Sequence, residues 1–144
     1  MIEKKEYISR RQELMSMMHK NSIAVISSAP EKVRSRDTNY PYKQNVNLTY
    51  LAGFPEPESV LVLIPDREDG QVILFCRDKD PLRETWDGYR EGPASAIKKY
   101  GFDDAFPISD IDDILPNLIE GKDRLYYAVG KDAEFDKRIM DWVN

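Results

Sequence analysis

Ser59-Val60-Leu61-Val62-Leu63-Ile64, then Pro65-Asp66-Arg67-Glu68-Asp69-Gly70, then Gln71-Val72-Ile73-Leu74-Phe75-Cys76-Arg77: two apolar runs rich in β-formers flank a charged turn that a glycine closes. This spacing predicts an antiparallel hairpin. Neither run alternates apolar with polar. Nearly every residue is apolar, so both faces of the hairpin must be covered and it must stand inside a sheet, not at its edge. Helices on both sides have to supply that cover, which makes the expected fold an α/β domain of three layers around a mixed sheet.

Reading outward from the hairpin fills in those layers. Toward the amino terminus, residues 47–51 read as a strand stopped by Gly53, Pro55 and Pro57, and residues 22–28 as a buried strand ended by Ala29-Pro30. Before them Tyr7, Arg11, Leu14, Met15 and Met18 share one face of an opening amphipathic helix. Toward the carboxy terminus, residues 94–100 and 109–119 read as helices. In the second, Ile111, Ile114, Leu115 and Leu118 share a face, Ser109 with Asp112 resembles a capping box, and Pro116 should kink or delay the helix. A strand over 124–129 and a helix over 134–143 follow, the helix turning Phe135, Ile139, Trp142 and Val143 inward. The sequence stops at Asn144 inside that helical pattern with no glycine or proline stop signal, so the expectation is one domain over 1–144 with a further carboxy-terminal region beyond it.

Composition removes several classes of function. The 144 residues carry a net charge of −5 with both signs interspersed and no basic stripe, which argues against nucleic acid as a partner. No run approaches the ~20 apolar residues of a membrane span, and the first residues lack a signal-peptide core, so the expected location is cytoplasmic. The single cysteine, Cys76, sits in an apolar run and reads as a buried thiol. The single histidine, His19, has no nucleophile motif to accompany it, and one histidine cannot assemble a triad. The acidic groups Asp103-Asp104 and Asp110-Ile111-Asp112-Asp113 fall at turns and helix starts, where negative charge is favourable for its own sake.

Two segments remain. Residues 34–58 crowd charges, amides and aromatics between apolar runs, and residues 83–92 place Trp86 and Tyr89 among charges and glycines. Trp86 either packs back over the hairpin or meets a ligand or another subunit. Asp37 either bonds local backbone in an Asx turn before Tyr40-Pro41 or faces a site.

Arg34, Asp37, Tyr40-Pro41-Tyr42, Gln44-Asn45, Tyr50, Gly53-Phe54 and Glu56-Pro57-Glu58, together with Trp86 and Gly88, resemble the amino-terminal domain of Xaa-Pro aminopeptidases, also called aminopeptidase P, within the creatinase and prolidase group. The resemblance implies a ribonuclease-H-like α/β fold. It also implies a manganese-dependent parent enzyme that releases an amino-terminal residue preceding proline. Two manganese ions would lie in a carboxy-terminal pita-bread catalytic domain that this chain lacks, so no catalytic residue, metal ligand or cofactor is expected in the chain itself. The implied partners are that catalytic domain, further copies in a homo-oligomer, and a proline-containing peptide. By the same resemblance Asp37 looks toward the active-site hydrogen-bond network and Trp86 reaches into a neighbouring subunit's cleft, while Tyr42, Gln44 and Asn45 shape that surface. Two other implied readings are a peptidase-like protein that only binds partners, and the same domain of a prolidase or creatinase.

Overall fold

The computed structural model describes residues 2–31 and 42–144. Along the chain run α1 (Lys4–Met17), β1 (Ser22–Ser27), α2 (Val46–Ala52), β2 (Val60–Leu63), β3 (Val72–Cys76), α3 (Pro81–Asp87), α4 (Pro93–Tyr100), β4 (Asp104–Pro107), α5 (Ile111–Ile119), β5 (Arg124–Tyr126) and α6 (Ala133–Val143), with a 3-10 turn, Ile108–Asp110, leading into α5. Arg34, Asp37, Tyr40 and Pro41 lie outside the described residues.

The hairpin is present as expected. Val60 stands opposite Phe75 and Leu63 opposite Val72, and every residue of both strands is buried. The sheet order is β4-β3-β2-β1-β5. β1 and β3 run antiparallel to β2, and each takes a parallel neighbour on its other side, so β2 alone opposes the common direction. Side chains on a strand alternate between faces, and here both faces are apolar. Leu61, Leu63 and Leu74 join Met15, Leu48, Leu51, Ala96 and Phe102 under α1, α2 and α4. Val60, Val62, Ile73 and Phe75 join Ile111, Leu115, Phe135 and Ile139 under α5 and α6. Helices therefore cover both faces, in the three-layer α/β arrangement the apolar hairpin demands.

Four local expectations are corrected. Residues 47–51 form the helix α2, not a strand. The Asn45 side chain accepts from the Asn47 amide at 2.8 Å to cap its start, and Gly53 takes φ 66° to end it. That left-handed glycine is also a contact point: a Cβ there would stand 2.5 Å from the Tyr7 ring of α1. At α5 there is no Ser109–Asp112 capping box, since Asp110 occupies the cap position without a side-chain bond and the 3-10 turn leads in. The helix runs through Pro116. The strand expected over 124–129 stops at Tyr126, and Tyr127 beyond it packs against Phe135 and donates its hydroxyl to Asp136 Oδ1 at 2.5 Å. Val143 is 44 % exposed, while Phe135 and Ile139 carry the inward face of α6. Neither α3 nor β4 was anticipated. β4 is a half-buried edge strand ending in proline, and α3 buries nothing.

Candidate functional site

The sheet directs its polar groups to one end. Ser27 of β1 pairs with Val60 of β2, which pairs with Phe75 of β3, so the exits of β1 and β3 and the entry of β2 lie side by side. In sheets of this kind the crevice beyond the carboxyl ends of the parallel strands is where ligands commonly meet the fold. The segments after β1, before β2 and after β3 converge there.

Gln44 holds the first two together. Its Oε1 accepts from the Ala29 amide at 3.0 Å and the Asn45 amide at 2.9 Å, while its Nε2 donates to Phe54 O at 3.1 Å and Glu56 O at 2.9 Å. Tyr42 donates its hydroxyl to Ala29 O at 2.5 Å and lies 2.9 Å from the same Gln44 oxygen, so its one proton serves one of them at a time. Burial is the leading cause pushing that phenol up to about 12. Asn45 caps α2 and donates Nδ2 to Ser27 O at 3.1 Å. All three residues therefore fix the backbone of this surface.

Beneath them lies a charged cluster that sequence reasoning left unassigned. Glu56 Oε1 stands 3.4 Å from Arg77 Nη2, and Glu56 Oε2 accepts from the Glu91 amide at 2.8 Å. Glu91 is 3 % exposed, with Lys99 Nζ 3.4 Å from its Oε1 and the Tyr89 hydroxyl donating to its Oε2 at 2.5 Å. The available signal was position: Arg77 follows directly on the fully apolar β3, so its charge needs a partner at the sheet end. Cys76, its neighbour, is completely buried, and burial first, then Glu56, pushes its thiol up to about 12. It is no nucleophile at neutral pH.

Trp86 stands apart from this cluster. It lies on α3, 83 % exposed, with Leu82 at 77 % one turn away and Tyr89 at 63 %. It does not pack back over the hairpin. Asp37 is outside the described residues, so the structure brings Tyr42, Gln44 and Asn45 together and leaves Trp86 on a separate projection.

The described residues also form two hollows. A groove of about 720 Å³ between α1, α2 and β5 is lined by Met17, Tyr50 and Tyr126, with His19 Nδ1 2.7 Å from the Tyr126 hydroxyl. A second hollow, of about 670 Å³, opens beside Ser28, Glu58 and Arg138. Among the described residues no group of three His, Cys, Asp or Glu side chains is placed to hold a metal ion. No helix of the described residues is long and apolar enough to cross a membrane.

Comparison with known proteins gives a consistent set of likenesses. Residues 7–127 match the family described as aminopeptidase P, N-terminal domain. The chain is 43 % identical to the Xaa-Pro aminopeptidase of Escherichia coli, over 94 % of this chain and 31 % of that protein. It is 30 % identical to the mitochondrial intermediate cleaving peptidase 55 of Arabidopsis thaliana, over 96 % of this chain and 28 % of that one. Among solved structures, Pseudomonas aeruginosa aminopeptidase PepP superposes with a TM-score of 0.94 at 57 % identity, covering 99 % of this chain and 32 % of that one. Zinc-substituted E. coli aminopeptidase P in complex with product gives a TM-score of 0.91 at 40 % identity, over 98 % and 32 %. The chain thus spans about a third of the length of the relatives it matches.

Proposed function

Since the chain belongs to the family of aminopeptidase P amino-terminal domains, we propose that it is the non-catalytic domain of an Xaa-Pro aminopeptidase, an enzyme that releases an amino-terminal residue preceding proline. Its role is to support subunit contacts and to wall an active site built by a catalytic domain outside this chain. The manganese ions of that centre belong to the other domain in this proposal.

One observation carries the reading. Leu82 and Trp86 stand exposed on an element that contributes nothing to the domain's own core, and Tyr89 is exposed just past its end. A large exposed indole beside a leucine is a feature that a folding argument leaves unexplained and a contact surface explains. The Tyr42, Gln44 and Asn45 network supports the reading differently, since it rigidifies the surface at the strand ends without using a ligand. Asp37 is proposed to face the same active-site network.

Two assays test this. The purified chain, given an Xaa-Pro peptide and manganese, should show no turnover; chelator-sensitive turnover would overturn the assignment. In the full-length protein, Trp86→Ala should raise KM about tenfold, the loss of one buried aromatic contact of ~1–2 kcal/mol. An unchanged KM together with an unchanged oligomeric state would remove Trp86 from the site.

A further inference from the structure

The hydrophobic core does not hold α3. None of its seven residues is buried, and an isolated helix of that length is far too short to persist in water. The segment 79–91 nevertheless leaves β3, turns through α3 and returns into α4 with a defined course. One carboxylate makes several of the bonds that tie it. Glu84 Oε1 accepts from Lys79 Nζ at 2.8 Å and from the Arg90 amide at 3.0 Å, and Oε2 accepts from the Asp80 amide at 3.2 Å. Lys79 and Asp80 belong to the outgoing limb and Arg90 to the returning one, so one side chain joins both limbs to the helix between them.

The surrounding bonds close the base of this arm. Lys79 Nζ also donates to Arg90 O at 2.6 Å and lies 4.0 Å from the centre of the Tyr89 ring. Asp80 caps α3 by accepting from the Arg83 amide at 3.1 Å. Below, the Glu91 amide on Glu56 Oε2 at 2.8 Å fastens the returning limb to the sheet end. The outcome is a projection whose apolar ridge, Leu82 and Trp86, faces outward.

We infer that Glu84 is a positioning residue: it sets the stance of Trp86 by knotting the two limbs of the arm, so that the indole is presented preorganised. Ordering a loose loop on binding costs affinity, and an arm ordered beforehand avoids that cost. The inference about the arm rests on its bonds alone. Its consequence for peptide binding rests on the proposal above that Trp86 covers substrate.

The chain has two tryptophans, and a Trp142→Phe background leaves Trp86 as the sole indole. Time-resolved fluorescence anisotropy then reads the arm directly. Glu84→Ala should increase the amplitude of fast local depolarisation at least about twofold, with the unfolding midpoint nearly unchanged because α3 buries nothing. Glu84→Gln, which keeps an acceptor of the same reach but loses the charge that holds Lys79, should fall between. A decay for Glu84→Ala that superimposes on the parent's overturns the inference. In the full-length enzyme, Glu84→Ala should raise KM more than it lowers kcat. If Trp86→Ala leaves KM unchanged while the anisotropy shift is present, substrate covering fails and the knot stands; if Trp86→Ala raises KM while anisotropy is unmoved, the knot alone fails.

Discussion

Removing the Arg11 side chain should destabilise this domain more than almost any other single truncation of a polar residue. Arg11 is 1 % exposed beneath α1 and, among the described residues, has no carboxylate within ion-pair distance. Its guanidinium donates instead to three carbonyls at helix ends: Leu51 O of α2 at 3.0 Å, Tyr100 O of α4 at 3.2 Å and Gly101 O at 3.1 Å. The Phe102 ring lies 5.1 Å below it. Helix carboxyl ends carry partial negative charge and unsatisfied carbonyls, so one cation serves two of them. Burial pulls its pKa down to about 10, with nearby Asp103 opposing, and the group stays charged at neutral pH.

The magnitude follows from these contacts. Leaving one buried and two part-buried carbonyls without donors costs ~1–3 kcal/mol each, the part-buried ones at the low end, and an emptied side-chain volume adds to this. Releasing a buried cation from its desolvation cost offsets part. Arg11→Ala should therefore lose about 4 kcal/mol, and Arg11→Met, which refills the space, about 2 kcal/mol. For a domain of this size that corresponds to a melting point lowered by roughly 12 °C and 6 °C. Urea unfolding followed by circular dichroism measures both. A loss below about 1 kcal/mol for Arg11→Ala would show that water satisfies those carbonyls as well as the guanidinium does, and would refute the argument.

Two further outcomes are expected. Gln44→Ala removes the donor to Phe54 O and Glu56 O and the acceptor of two amides, and should cost about 3 kcal/mol in the same unfolding measurement. For the arm, the Lys79 hydrogen bond is the first cause holding the Glu84 carboxyl below its ordinary value. Its contribution is complete above the ordinary carboxylate range and is lost as pH falls through the lowered value, so Trp86 anisotropy should drop in acid and Glu84→Ala should abolish that dependence.

The sequence displayed the parts of the fold that hydrophobic burial decides. The 60–64 and 72–76 runs could only be covered strands, and Phe135 and Ile139 recur at helical spacing, so these elements were legible from pattern alone. Residues 47–51 were not, because Thr49 and Tyr50, with Val46 just before them, favour strands locally while the deciding signals, Asn45 before and Gly53 after, are caps that gain meaning only as a pair. β4 hid for another reason: Asp104-Ala105-Phe106-Pro107 is half-buried at an edge and ends in a residue without an amide. The site was legible as a concentration of polar and aromatic residues, but the division of labour within it was not. Whether an amide like that of Gln44 faces a ligand or its own backbone depends on which carbonyls the fold brings near it, and Phe54 O and Glu56 O come near only once α2 is a helix. Trp86 drew notice by composition, whereas Glu84, one charge among many, acquires its role only when Asp80 and Arg90 are brought to either side of it.

The saturation of Gln44 bears on how variants of this domain would be scored. A survey that ranks substitutions by activity in cells would flag positions 42–45 beside genuine contact residues, since marginal stability converts a few kcal/mol into several-fold lower abundance. Dividing activity by the amount of folded protein should restore the Gln44 variants toward parental values and leave those of Trp86 impaired. The fold thus supplies a criterion for telling the bolts of the surface from its working edge.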